Sequence, residues 1–241
     1  MKFEHRLLLN QILVIAKKMN STILVVAAHA DDEALGCGGT ILRHISDGDI
    51  VHAVFMTDGV GSRGQRKEDD AQRRKKAAEK AREILGLQTV KHLGFPDNKM
   101  DSIAILDVVQ DIEILVKELA PKVIYTHHCG DLNVDHRVTL EATMVACRPQ
   151  PDCTVKEVYG FEVLSSTEWG APQQNPFVPN MYVDISQFLA KKCEVLGAYV
   201  SEMREAPHSR SIDHVQHLAR HRGYSVGVRA AEAFSVVRLI K

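Results

Sequence analysis

Residues 25–40 read VVAAHADDEALGCGGT: an apolar run stops at His29, and Asp31, Asp32 and Glu33 follow at once. Zinc takes imidazole nitrogen and carboxylate oxygen, and catalytic zinc sites commonly use three protein ligands and keep one position open. His29 and Asp32 stand three apart where a strand gives way to a helix, so both can face one ion. Asp31 lies between them and can face a water instead, provided it is within hydrogen-bond reach of the proton to be removed. Spacing leaves open which acid ligates and which acts as base. Residues 126–137, THHCGDLNVDHR, offer a third ligand from His127, His128, Asp131, Asp135 and His136. Plainer roles compete. One acid after a strand is commonly a helix N-cap or a partner of the helix dipole, and Asn133 or Asp131 can cap the next helix. Neither role accounts for three acids together with His29. The GCGG run does not match GxGxxG, and the adjacent acids would repel a pyrophosphate. A glycine-lined turn that admits a substrate is the expectation here.

These clusters must be brought together by the elements around them. Strand patterns at 22–28, 49–57, 89–93 and 122–127 alternate with helical patterns at 34–47, 65–86, 102–119 and 134–147. Such alternation predicts an α/β fold, a mostly parallel sheet with helices on both faces. Sites in such sheets form beyond the carboxyl ends of the strands, where His29, the TDG at 57–59 and His127 would meet. After residue 150 the pattern loosens. Strand structure is predicted over 154–166 and 181–185, helices over 186–203 and 212–222, and loops over 166–180 and 204–211. No linker forces a second domain. At the other end, Leu8, Ile12 and Ile15 predict an amphipathic helix within 7–16; Asn10, Gln11, Lys17 and Lys18 argue against a signal peptide.

Composition narrows the class. The 241 residues carry 30 basic and 31 acidic side chains, a formal net charge of −1, which disfavours a nucleic-acid partner. No apolar stretch is long enough to span a bilayer. The five cysteines are odd in number and form no CxxC pair, which fits reduced thiols and a cytoplasmic setting.

AHADDE resembles the AHPDDE signature of the PIG-L/LmbE-like zinc-dependent N-deacetylases. TDGVGSR (57–63) and LGFPDNKMD (93–101) are similar to further family segments, and HHCGDLNVDHR to a branch with a DxNxDHR version of the usual HPDH motif. STEW (166–169) and PHSRS (207–211) resemble that branch's later signatures, so the likeness covers nearly the whole chain. It implies a Rossmann-like three-layer α/β/α fold of the LmbE type. One domain over 1–241 is expected, with a core at 1–150 and residues 151–241 completing the site. It implies one Zn²⁺ per subunit, another divalent metal being admissible, on His29, Asp32 and His136. Asp31 matches the general base, and Asp135 the acid that supports the last ligand. The implied reaction removes an N-acetyl group from an N-acetylglucosamine-like sugar or its conjugate, nucleotide-linked forms included. The alternatives are an amidase acting on another small amide, such as a thiol-sugar conjugate, and a non-catalytic sugar-nucleotide-binding domain. A homo-oligomer is expected from the same resemblance.

The chain departs from the family pattern in places. Ala30 replaces a proline that would stiffen the turn. Cys129 stands where the branch often has proline. Asn133 occupies the first histidine of HPDH, a residue that polarises the carbonyl or protonates the amine in relatives. His127, His128 and His208 are the candidates to replace it, and His208 is preferred because loops carry catalytic groups into crevices. His127 and His128 are also expected at the substrate, as are Arg63 and Asp97 near the sugar hydroxyls. Arg74 fits the pattern less well, and the basic run 63–82 is assigned to a solvated helix face. Trp169, the single tryptophan, is assigned to a core or subunit contact in preference to stacking on a sugar.

Overall fold

Strict alternation along the first strand builds two cores at once. In a computed structural model that describes residues 20–61, 68–171 and 175–241, β1 (Thr22–Ala27) turns Ile23, Val25 and Ala27 to one face and Leu24 and Val26 to the other. Successive side chains of a strand point to opposite faces, so a strand covered on both sides is apolar throughout. The N-terminal helix predicted over 7–16 and Arg63 lie outside the described residues.

The remaining elements follow in order: α1 (Asp32–Ser46), β2 (Ile50–Thr57), α2 (Glu68–Leu85), β3 (Thr89–Phe95), α3 (Ile105–Leu119), β4 (Val123–His127), α4 (Val134–Ala146), β5 (Glu157–Phe161), β6 (Met181–Asp184), α5 (Leu189–Leu196), α6 (Ile212–Tyr224) and β7 (Ala231–Leu239). They form one seven-stranded sheet in the order β3-β2-β1-β4-β5-β7-β6. The first five strands pair in parallel, and β7 runs antiparallel to both β5 and β6. Side chains of α1, α2, α5 and α6 pack on one face and those of α3 and α4 on the other. This is the expected three-layer, mostly parallel α/β fold. Because β1 lies between β2 and β4, the chain leaves it in opposite directions, and the crevice beyond its carboxyl end is the natural site.

Two elements are shorter than their apolar patterns predict. The strand expected over 154–166 ends at Phe161, because Thr167 closes a turn: its hydroxyl accepts the Val163 N–H at 2.7 Å, and its own N–H donates to the Val163 carbonyl at 2.9 Å. The helix expected over 186–203 is regular only through Leu196. Beyond Gly197, bonds from Tyr199 N–H to Leu196 and from Glu202 N–H to Tyr199 tighten the chain into single turns.

Helix α1 breaks inside the GCGG run, at Cys37 (φ −144°, ψ 21°). The glycines there do not admit a substrate; they let the helix approach the sheet. A Cβ on Gly36 would lie 2.4 Å from the Phe161 ring, and one on Gly39 2.8 Å from Ile185. The break is stapled by a buried ion pair. Glu232, from β7, accepts the N–H groups of Gly39 (2.9 Å) and Thr40 (2.6 Å). Lys192, from α5, donates to Glu232 at 2.6 Å and to the Leu35 carbonyl at 2.7 Å. Removing one partner of a buried pair leaves the other charge uncompensated. Glu232→Ala is therefore expected to lower stability by about 3–5 kcal/mol in urea unfolding; a loss under about 1 kcal/mol would discount the staple.

Candidate metal centre and active site

Three donor atoms from distant positions form a nearly equilateral triangle. His29 Nδ1 stands 3.2 Å from Asp32 Oδ2 and 3.2 Å from His136 Nε2, and His136 Nε2 stands 3.3 Å from Asp32 Oδ2. Tetrahedral zinc with bonds of about 2.0–2.1 Å sets neighbouring ligand atoms roughly 3.3–3.4 Å apart, so the triangle has the dimensions of one face of such a site. All three side chains are buried, and Asp32 Oδ1 makes no hydrogen bond to any described residue. A buried, unpartnered carboxylate oxygen beside two converging imidazole nitrogens suits a cation and little else. The strand end fixes His29, the first turn of α1 fixes Asp32, and the first turn of α4 fixes His136.

Each imidazole is braced from behind by carboxylates. His29 Nε2 faces Asp135 Oδ2 at 3.1 Å and Asp97 Oδ1 at 3.2 Å, and Asp135 also accepts the N–H groups of Asn98 (2.6 Å) and Met100 (3.1 Å). His136 Nδ1 faces Asp131 Oδ2 at 3.1 Å. Asp131 is in turn held by the hydroxyls of Ser166 and Thr167 and by the Asn133 N–H. Such partners orient a ligating ring and raise its basicity. Burial opposes charge on these rings, but the acids prevail: Asp135, Asp32 and Asp97 raise His29 well above the ordinary histidine value, and Asp32 and Asp131 push His136 up to about 9. Asp32 shows the converse: burial pushes its carboxyl up, yet His136 and His29 hold it well below the usual range. A cluster that draws protons this strongly draws a divalent cation by the same field.

Asp31 lines a cavity of about 300 Å³ together with His29, Asp97, Asn98 and Asn133. It sits at the N-cap position of α1 but does not cap the helix. Its φ of 137° is rare for any residue other than glycine and costs on the order of 1–3 kcal/mol, and Glu33 anchors it by accepting its N–H at 2.9 Å. Glu33 itself accepts the Tyr199 hydroxyl at 2.6 Å, and burial pushes its carboxyl up to about 7. Arg210 donates to Asp31 Oδ2 at 2.8 Å and Arg74 to Oδ1 at 3.3 Å. Glu202 completes the ring of charges, 2.7 Å from Arg74 and 3.8 Å from Arg210. Burial raises the Asp31 pKa, and the two arginines counter it only in part.

With this geometry in view, comparison with known proteins is informative. The family model "PIG-L: GlcNAc-PI de-N-acetylase" matches residues 24–147. The "Uncharacterized deacetylase YaiS" of Escherichia coli K12 is 30% identical over 175 residues, 70% of this chain and 89% of that protein. This chain belongs to the PIG-L (LmbE-like) family. A probable N-acetyl-alpha-D-glucosaminyl L-malate deacetylase 2 of Bacillus cereus is 29% identical over 202 residues, 80% of this chain and 90% of its own. The N,N'-diacetylchitobiose deacetylase of Pyrococcus horikoshii shares the fold at TM-score 0.74 and 19% identity, covering 99% of this chain and 93% of that one.

Against this PIG-L frame, the other residues singled out from the sequence take definite places. Asp97 lies at the cavity wall beside His29. Asn133 caps α4, accepting the Asp135 N–H at 2.8 Å, and donates to Asn98. His208 lines the cavity, exposed on its loop, with Nδ1 accepting the Arg210 N–H at 3.0 Å. His127 and His128 do not line the cavity, which corrects their assignment to substrate. His127 is fully buried, accepts the Ala28 N–H through Nε2 at 2.8 Å and stacks on His136 with 3.9 Å between ring centroids. His128 turns to the Asn175 carbonyl, 2.8 Å from its Nε2. Arg74 is no solvated helix residue but a buried partner of Asp31. Trp169 is 54% exposed at the cavity rim and anchors no core. Asp131 stood in the sequence cluster as a candidate third ligand or helix cap, and its place against His136 was not foreseen; Arg210 and Glu202 carried no signal beyond their place in and near PHSRS. Replacing a carboxylate that braces a metal-ligating histidine typically costs 10- to 100-fold in metal affinity. Asp131→Asn is expected to show a loss of about that size in a competition between the protein and a chromogenic zinc chelator; unchanged affinity would separate Asp131 from the centre.

Proposed function

We propose that this PIG-L family member is a metal-dependent N-deacetylase that hydrolyses the acetamido group of an N-acetylated aminosugar or aminosugar conjugate. One observation carries the reading: the three-atom triangle of His29, Asp32 and His136, whose His29 lines a cavity together with Asp31. Relatives named as deacetylases of N-acetylglucosaminyl malate and of diacetylchitobiose support the substrate class.

In this reading, His29, Asp32 and His136 hold one zinc ion or another divalent cation. Bound there, the cation supplies a Lewis acid that acidifies water and polarises an amide carbonyl. Asp31 takes the proton of the attacking water, whose oxygen bonds to the acetyl carbon. The C–N bond then breaks, Asp31 returns the proton to the departing amine, and acetate is the second product. Arg210 and Arg74 offset part of the effect of burial on Asp31, and Glu33 keeps its backbone in the strained conformation that faces the cavity. Because His208 Nδ1 accepts a backbone N–H, its proton resides on Nε2, which donates to the carbonyl oxygen as charge develops there. Asp97 and Asn98 receive sugar hydroxyls. Residues 151–241 complete the site within one domain, supplying His208, Glu202 and Arg210. The reading includes a cytoplasmic, homo-oligomeric enzyme; the five cysteines, all free thiols, accord with a reducing compartment.

A screen of N-acetylated sugars and sugar conjugates, scored by free amine, tests this reading. Amine release is expected to stop when metal is stripped and to return with zinc; activity that survives complete metal removal rejects it. Asp31→Asn is expected to keep bound zinc while turnover falls about 10²- to 10⁴-fold. His208→Ala is expected to cost about 10²- to 10³-fold in kcat. Full turnover in either variant removes that residue from its role.

A further inference from the structure

We propose that Trp169 is the stacking platform of a second subsite, one that receives the ring joined to the sugar being deacetylated. This rests on the reading of the cavity as an acetamido-sugar site and adds to it a preference for two-ring conjugates over free monosaccharides. The cavity, about 300 Å³, is at the small end of pockets that enclose small ligands, roughly 300–1,000 Å³. It suits one sugar unit with its acyl group, so anything attached to that sugar emerges at the rim. There the indole is presented, 54% exposed, with the His208 ring edge-on at 6.3 Å between centroids.

An exposed tryptophan needs a reason, and this one is rigidly mounted. Its neighbour Glu168 accepts the N–H groups of Ser165 (2.6 Å) and Ser166 (3.2 Å) and the hydroxyl of Ser209. Ser166 and Thr167 donate their hydroxyls to Asp131, the acid that braces His136. The platform is thus tied to the triangle through the hydroxyl hydrogen bonds to Asp131 and the Asp131–His136 ion pair, which fixes its distance from the acyl group. A rigid aromatic face held in register with the reacting centre offers stacking at little entropic cost. The shared chemistry of its ligand is a flat-faced second ring, either a pyranose or a nucleobase.

Trp169 is the only tryptophan, so intrinsic fluorescence reports this position alone. The full chain carrying zinc and Asp31→Asn, which keeps ligands intact, would be titrated with N-acetylglucosamine, N,N'-diacetylchitobiose and uridine diphosphate N-acetylglucosamine. Fluorescence and calorimetry would both be read. At least one of the two conjugates is expected to change the emission, to bind more tightly than the monosaccharide, and to lose about tenfold in affinity on Trp169→Ala. N-acetylglucosamine should lose less than about twofold, and Trp169→Phe should restore that conjugate to within about threefold. The conjugate affected identifies the ring. Absence of binding by both conjugates, equal losses for all three ligands, or losses under about twofold for both conjugates would each overturn the proposal. Unchanged affinities together with a smaller species in sedimentation would overturn it in favour of a subunit contact. Binding is read apart from acetate release, so failure of the platform leaves the deacetylase reading standing, and failure of deacetylation leaves the platform testable.

Discussion

Six carboxylates, those of Asp31, Asp32, Glu33, Asp97, Asp131 and Asp135, are buried around the carboxyl ends of β1 and β4, none more than 3% exposed. Burying unpaired charge costs several kcal/mol per group, so the surroundings are arranged to compensate these acids. Two imidazoles stand among four of them, two arginines hold Asp31, and a tyrosine hydroxyl meets Glu33. One oxygen of Asp32 is left without a hydrogen bond from any described residue, so compensation by protein groups stops there.

The division of labour among these acids follows from their partners. Asp32 sits between two imidazoles, which hold its carboxyl well below the usual range against its burial. Asp31 sits between two guanidinium groups in a cavity, and burial raises its carboxyl in spite of them. Asp135 and Asp131 point at the outer nitrogens of the two histidines and fix their tautomers, so that Nδ1 of His29 and Nε2 of His136 turn inward. Neighbours in sequence thus acquire opposite pKa shifts through the partners each one meets.

The fold supplies that direction with short, stiff elements. Strand ends and first helical turns carry the triangle, whereas the loops at 163–170 and 204–211 carry the groups around it. Those loops are bound to one another by Glu168 with Ser209 and by Arg210 with Ser165, and to the centre through Asp131. Asn133 caps α4 and steadies the helix that presents His136.

Local periodicity made the β-α alternation, the two faces of the sheet and the crevice readable from the sequence, because burial on a strand or helix repeats at short range. The two His/Asp clusters were readable too, since histidine and aspartate at the end of an apolar strand are costly unless used; the choice of His29, Asp32 and His136 among them came from the family resemblance. That neither His127 nor His128 lines the cavity was not: one is buried against His136 and the other turns to the Asn175 carbonyl, and packing decides such placements. Nor could the sequence join Arg210 to Asp31 across 179 positions, or carry Trp169 out to the rim. Those placements depend on β7 pairing with β5 and on the loops closing over the crevice, and long-range charge pairing leaves no periodic trace along a chain. The sequence by itself determined which groups had to be compensated; the tertiary structure decided by what.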